Sequence, residues 1–269
     1  MKKGSIMKKL GFLGAGNMGS AIIKGIADND ICRIYAYDKD PEKLKPLEQY
    51  RVTACKSEQE LTETCTYILL AVKPQVLGDV LDTIRPYVTE NHIFISICAG
   101  ITSDFIKQRT NPAAKTAIVM PNTPAMLGLG ASAIARDDSI GDEDFTFAKE
   151  IIASCSMVKE IPMDKMKEII CINGSSPAFI YLFAKGFIDY AREVGIDETA
   201  ALQLFAQSLT GSAKMLTDSG MTVEQLIKQV SSPGGTTLAG LDKLYAGNLE
   251  ESVKEACRAC TKRAYELAN

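Results

Sequence analysis

Leu10-Gly11-Phe12-Leu13-Gly14-Ala15-Gly16-Asn17-Met18-Gly19 decides the fold. An apolar strand runs into Gly14-x-Gly16-x-x-Gly19. An apolar helix, Ala21-Ile22-Ile23 to Ile26-Ala27, follows at once. Each glycine has a mechanical task in such a turn. Gly14 lets the chain turn sharply out of the strand. Gly16 has no Cβ to hold off a pyrophosphate. Gly19 lets the helix lie close on the sheet. The N–H groups and positive dipole end of that helix then face the phosphates. Glycine spacing alone is weak evidence, but in this strand–turn–helix setting it predicts a dinucleotide-binding unit.

Working outward, the strand Ile34 to Tyr37 ends in Asp38, where such folds place the residue that reads the adenosine ribose. A carboxylate there accepts from a 2′-hydroxyl and repels a 2′-phosphate, whereas Lys39 beside it would attract one. Pro41 to Tyr50 reads as a helix with proline in its first turn. A short strand at Val52 to Cys55 and a weak helix at Glu58 to Glu63 follow. Tyr67 to Val72 is a continuous apolar run, as a strand covered on both faces should be. It stops at Lys73-Pro74, because proline cannot donate to a ladder. Val76 to Ile84 is amphipathic. Two buried strands come next: Ile93 to Cys98, closing in Ala99-Gly100, and Lys115 to Val119, closing in Met120-Pro121-Asn122-Thr123-Pro124. Gly130 to Ala135, a helix through Phe145 to Ile152, and Met157 to Glu160 complete the region. This alternation predicts an α/β domain with a doubly wound, mostly parallel sheet. Ligands bind beyond the carboxyl ends of such strands. Ala71-Val72-Lys73-Pro74, Cys98-Ala99-Gly100 and the segment holding Asn122 therefore converge on one crevice.

Around Pro162-Met163-Asp164 the pattern turns wholly helical. Lys165 to Ile172 reads as a short helix. Ser176-Pro177 opens a long one, with serine as cap and proline at the first position, ending at Gly195. Asp197 caps the next, to about Thr217, and Thr222-x-x-Gln225 is a capping-box pattern. Glu250 to Leu267 is the last helix. The expected division is a dinucleotide-binding domain at 1–163 and a helical domain at 164–269. One helix carries Ala201, Ala206, Ser208, Gly211, Ser212 and Ala213, whose small side chains permit close approach. A flat bundle of this size has little core of its own, so a second copy is expected to cover its apolar faces about a two-fold axis.

Between two of these helices lies Ser231-Ser232-Pro233-Gly234-Gly235-Thr236-Thr237. The glycines bare the backbone N–H groups, hydroxyls crowd around them, and a helix, Leu238 to Tyr245, begins at once. That pattern suits a small anion such as a carboxylate, and a hydroxyl-rich helix cap is the plainer alternative.

Composition narrows the function. The chain has 269 residues, 46% of them hydrophobic, and a net charge of −3 with both signs dispersed. No basic stripe points to nucleic acid and no apolar run points to a membrane. Residues 1–6 read as a short leader that lacks the apolar core of a signal peptide. Eight cysteines are scattered, mostly in apolar runs, which fits reduced thiols in a cytoplasm. Cys257-x-x-Cys260 lacks partners for a metal, and the only histidine, His92, sits in a polar turn and reads as a surface residue. Nothing resembles a catalytic histidine or a Ser/His/Asp set. Oxidising an alcohol needs a base for the hydroxyl proton. Reducing a C=N bond does not, because a protonated imine already accepts hydride and needs chiefly orientation.

These residues resemble pyrroline-5-carboxylate reductases. The resemblance is carried by Phe12 to Met18, Ala71 to Gln75, Ser96 to Gly100, Met120 to Ala125, Ser175 to Ala178 and Ser232 to Thr237, and runs from Met7 to the end of the chain. It implies a Rossmann-type domain joined to an all-α dimerisation domain with interleaved helices, and dimers that assemble into a ring. The implied cofactor is NADPH or NADH, held by Leu13, Gly14, Ala15, Gly16, Asn17, Met18, Gly19, Asp38, Lys39, Ala71, Val72, Lys73, Pro74, Cys98, Ala99, Gly100 and Asn122. The implied substrate, 1-pyrroline-5-carboxylate, is held by Ser175, Ser232, Gly234, Gly235 and Thr236, with Thr237 on the ring nitrogen. Three positions depart from the family: Asn173 and Ser176 stand where serine and glycine are usual, and Glu58 where asparagine is common. A β-hydroxyacid dehydrogenase using Lys165 or Lys167, and a non-catalytic dinucleotide sensor, are the rival readings.

Overall fold

In the first strand, β1 (Lys8–Leu13), alternate side chains enter two different cores. Leu10 and Phe12 pack with Ile22, Ile23 and Ile26 of α1 (Asn17–Ile26) and with Phe145 and Ile151 of α5 (Asp142–Ala153). Leu13 packs on the opposite face, with Leu61 of α2 (Glu58–Thr64), Leu77 and Leu81 of α3 (Pro74–Ile84) and Ile106 of α4 (Ser103–Arg109). A strand with a period of two and apolar residues on both faces has to be sandwiched between helices. The structure is a computed structural model, and it describes residues 7–27, 29 and 31–267. The expected leader at 1–6 lies outside them.

The remaining strands are β2 (Cys32–Tyr37), β3 (Thr53–Ala54), β4 (Tyr67–Leu70), β5 (Ile93–Ser96), β6 (Lys115–Met120), β7 (Gly130–Arg136) and β8 (Ser156–Glu160). Their order is β3-β2-β1-β4-β5-β6-β7-β8. Every pair is parallel except β6 with β7. The strand order reverses between β1 and β4, and the ligand crevice of such a sheet lies there, beyond the carboxyl ends.

Several local expectations give way to particular contacts. The stretch from Pro41 to Tyr50 is not one α-helix but two 3₁₀ turns, Pro41–Lys43 and Lys45–Tyr50. Pro46 has no N–H for the carbonyl four residues back and collides with it. The chain tightens instead, and Leu47 N–H bonds to Leu44 O at 2.8 Å. Pro74 opens α3 two residues before the predicted start, as its fixed φ suits a first helical position.

His92 is buried rather than on the surface. Its Nδ1 accepts the Thr89 N–H at 2.9 Å, which leaves Nε2 to donate to Thr62 O at 2.9 Å. The ring closes its own turn against the end of α2.

Residues 165–172 do not form a regular helix, and Ser176 is not a cap. A 3₁₀ turn, Met163–Lys165, is followed by a π-helical segment, Ile170–Ser175, that runs straight into α6 (Ser176–Glu193). Pro177 supplies no N–H to the Asn173 carbonyl. The Asn122 side-chain amide donates to it instead, at 3.1 Å. The Asn173 amide donates in turn to Met120 O at 2.6 Å and to Ala131 O at 3.0 Å, while Asn122 Oδ1 accepts the Ala131 N–H at 2.9 Å. Two buried asparagines thus tie the ends of β6 and β7 to the approach to α6.

The chain forms two compact units, Met1–Ser175 with Cys260–Asn269, and Ser176–Ala259. In the first, Tyr265 near the chain end donates to Glu168 Oε1 at 2.8 Å, with Lys167 Nζ over its ring at 4.3 Å. The second holds α6, α7 (Glu198–Asp218), α8 (Val223–Gln229), α9 (Thr236–Ala246) and the start of α10 (Leu249–Leu267). Its helix ends follow local chemistry. Gly195 takes φ +77 after α6, Asp197 accepts the Ala200 N–H at 2.9 Å, and Thr222 and Gln225 form a reciprocal capping box. Phe187 stacks on Phe205 with centroids 4.4 Å apart. Beside this seam a groove of about 870 Å³ is lined by Phe179, Leu182, Phe183, Tyr190, Leu209 and Val253. Leu182 and Leu204 are each 71% exposed, so this unit leaves much of its apolar surface uncovered. Among the described residues, no helix is long and apolar enough to cross a membrane.

Candidate active site

The three glycines after β1 are glycine for different reasons. Gly14 has φ +100, and a Cβ on it would lie 2.7 Å from Ala71 O. A Cβ on Gly19 would lie 2.7 Å from Gly14 O. Gly16 has φ −69, and beyond its own chain neighbours nothing comes within 4 Å of where its Cβ would be. The protein itself therefore demands glycine at 14 and 19 but not at 16. What a side chain at 16 would obstruct is the open space in front of the turn.

That space faces unused donors. The Gly14 N–H is spent on Tyr37 O at 2.9 Å and the Ala15 N–H on Asp38 Oδ2 at 2.8 Å. Helix α1 then starts from Gly16 with no side-chain cap and no acidic residue in its first turn. Its leading N–H groups and dipole are left for an acceptor from outside. This cradle fits the pyrophosphate of a nicotinamide dinucleotide. Asn17 and Ala15 line the outer side of the turn with Ser20 and Lys24, while Met18 packs on the core.

Next to the turn is a cavity of about 340 Å³. Leu13, Gly14, Gly16, Ala71, Val72 and Lys73 form its floor, and Pro74 opens α3 directly after them. Tyr37, Asp38, Lys39, Lys43 and Glu58 line the same cavity. Besides the Ala15 N–H, the Asp38 carboxylate accepts the Asp40 N–H at 2.9 Å and Lys43 Nζ at 3.1 Å. Burial pushes this carboxyl up, but those two N–H groups and the ammonium together outweigh it and hold it below its ordinary value. The stabilisation is complete above the unfolded carboxylate range and is lost as pH falls through the lowered folded value. Acidification below about pH 4 is therefore expected to loosen the glycine turn. Nucleotide titrations followed from neutral to acid pH should show affinity falling there, and less steeply in Asp38→Asn.

A second cavity of about 340 Å³ lies at the ends of β5 and β6, lined by Cys98, Gly100, Ile118 and Met120. The Cys98 thiol donates to Val72 O at 3.2 Å and Leu70 O at 3.4 Å, and burial pushes it up to about 11. It spaces two strand ends and is no nucleophile at neutral pH. Ala99 is exposed beside it. Asn122 turns its amide inward to Asn173 and Ala131, and Ser175 lies half-buried in the π-helical segment. Lys165, 3.3 Å from Asp164, is exposed. Sequence reading missed Lys43, which sits at the end of the first 3₁₀ turn with its ammonium 3.1 Å from Asp38.

In the second unit, Ser232-Pro233-Gly234-Gly235 forms a tight turn closed by Gly235 N–H to Ser232 O at 2.9 Å. Gly234 takes φ +71, the value that a turn with proline before it requires. Helix α9 then starts from Gly235 with no side-chain cap and no acid in its first turn. None of the hydroxyls caps it: Ser231 Oγ donates backwards to Ile227 O at 2.6 Å. Ser232, Thr236 and Thr237 are exposed around bare N–H groups. The arrangement is that of an anion cradle with hydroxyls at its rim.

Comparison with known proteins agrees with both halves. Residues 163–267 match the family model for pyrroline-5-carboxylate reductase dimerisation, and residues 9–100 match a model described as NADP oxidoreductase coenzyme F420-dependent. A pyrroline-5-carboxylate reductase 2 of Bacillus subtilis is 33% identical over 97% of this chain and 95% of its own length. A pyrroline-5-carboxylate reductase 3 of Macaca fascicularis is 31% identical over 98% of both. Among solved structures, the pyrroline carboxylate reductase of Plasmodium falciparum with NADP bound is 30% identical and covers 98% of both chains with a TM-score of 0.87. That of Coxiella burnetii covers 98% of this chain with a TM-score of 0.91. With identity at this level along the whole length, the chain belongs to the pyrroline-5-carboxylate reductase family.

Proposed function

We propose that this protein reduces 1-pyrroline-5-carboxylate to L-proline at the expense of NADPH or NADH. The observation that carries the reading is the pair of uncapped, acid-free helix starts, α1 behind Gly16 and α9 behind Gly235. One suits a pyrophosphate and the other a carboxylate. Gly14 to Gly19 and Asp38 hold the dinucleotide, with Ala71 to Pro74 and Cys98 to Gly100 along the crevice. When bound, the dinucleotide supplies a hydride. Ser232 and the backbone N–H groups of Gly234 to Thr237 hold the substrate carboxylate. The Thr237 hydroxyl bonds the ring nitrogen and fixes which carbon is presented. No base is required of the chain, since a protonated imine is already an acceptor.

In this reading residues 1–163 serve the nucleotide and 164–269 the substrate and assembly. The family model for dimerisation and the open apolar groove of the second unit support a homodimer, and dimers joined in a ring are the further assembly we expect. The cytoplasm suits its buried thiols: Cys55 and Cys98 sit in the core as small hydrophobes. Purified protein should oxidise NADPH or NADH only when the imine is supplied, forming one proline per nucleotide. No turnover with either nucleotide would refute the assignment.

A further inference from the structure

The ribose end of the nucleotide cavity carries carboxylates on two separate elements. Asp38 follows β2, at the place where an acidic residue reaches the adenosine ribose. Its position is fixed by main chain: the Ala15 N–H holds one oxygen at 2.8 Å and the Asp40 N–H the other at 2.9 Å. It cannot swing aside for a bulkier ligand without releasing the glycine turn. Lys43 is no free partner for a phosphate, because its ammonium is already 3.1 Å from Asp38. Glu58, in the first turn of α2, lines the same cavity, and burial together with the nearby Glu58 charge holds the Tyr37 hydroxyl above its ordinary value. Asp79 lies further along the wall, and Lys39 and Lys73 are the remaining cations. Carboxylates and ammonium groups balance, so the cavity has no net positive charge to receive a phosphate dianion. A fixed carboxylate stands where that dianion would go, while exposed lysines on long stems must be ordered to oppose it.

We infer that this chain takes the dinucleotide without a 2′-phosphate, NADH, in preference to NADPH, and that Asp38 and Glu58 set the choice. The inference rests on the glycine turn binding a nicotinamide dinucleotide. It does not depend on which imine is reduced.

Equilibrium titration by nucleotide fluorescence tests it, with calorimetry on AMP and adenosine 2′,5′-bisphosphate to isolate the ribose end from the nicotinamide. The wild type should bind NADH at least about tenfold tighter than NADPH, and AMP tighter than the bisphosphate. Glu58→Gln and Asp38→Asn should each narrow the ratio by tightening the phosphorylated ligand, with melting curves confirming that both fold. Raising the salt should narrow it too, since the opposition is electrostatic. Equal or tighter binding of NADPH by the wild type overturns the inference alone. A folded Glu58→Gln with an unchanged ratio removes Glu58 from it. Binding of neither nucleotide overturns the inference and the dinucleotide site together.

Discussion

Replacing Gly16 with alanine is expected to weaken NADH and NADPH binding by ~100-fold while the apo-protein still folds. Beyond its own chain neighbours nothing lies within 4 Å of the added carbon, and its backbone has an ordinary negative φ. As a helix cap, alanine is poorer than glycine by about 1 kcal/mol at most, so the melting temperature should move by only a few degrees. The methyl group instead occupies the space the pyrophosphate needs. Forcing one methyl into a filled contact costs about 1–3 kcal/mol. Gly14→Ala should behave in the opposite way. There the carbon meets Ala71 O at 2.7 Å and φ is +100, so strain and clash together should cost about 2–4 kcal/mol of stability. Melting curves and nucleotide titrations of the two variants side by side separate ligand clearance from backbone necessity. Normal affinity in Gly16→Ala would mean that the phosphates lie elsewhere.

Thr237→Ala is expected to lower kcat/KM for the imine by ~30- to 100-fold, about 2–3 kcal/mol, the range for a hydrogen bond to a charged group. Nucleotide affinity should stay near the wild-type value. The Thr237 hydroxyl does not cap α9, so folding does not depend on it. Thr237→Ser keeps the hydroxyl and should recover most of the activity. Steady-state kinetics and a nucleotide titration on the same preparations check this. Equal loss of turnover and nucleotide binding would make the loop structural rather than a substrate contact.

Legibility in the sequence followed the range of the interactions. The β1–turn–α1 unit, the Asp197 cap, the Thr222–Gln225 box and the stop at Gly195 depend on neighbours within a few residues, and they read correctly. The doubly wound sheet was legible because β4 and β5 are apolar on both faces. Their ends were less so: Ala71 and Val72 continue the apolar run but lie past the end of β4 and line the crevice. The entry to α6 was illegible, because the Asn173 carbonyl, to which Pro177 has no N–H to give, accepts from Asn122, far back in the chain. His92 looked exposed because its partner, Thr62 O, belongs to another element. Lys43 joins the cavity through its ion pair with Asp38, a pairing of charges that no local pattern announces.

Transfer of hydride from a dinucleotide held behind Gly16 to a carboxylate-anchored cyclic imine is open to direct measurement. Isotope transfer tests it most directly. NADH or NADPH deuterated at C4 of the nicotinamide, on each face in turn, is incubated with the enzyme and 1-pyrroline-5-carboxylate, and the product is examined by mass spectrometry and NMR. The expected product is proline carrying one deuterium at C5 from one face of the nicotinamide and none from the other. Proline without label from either face, or no proline at all, would contradict it.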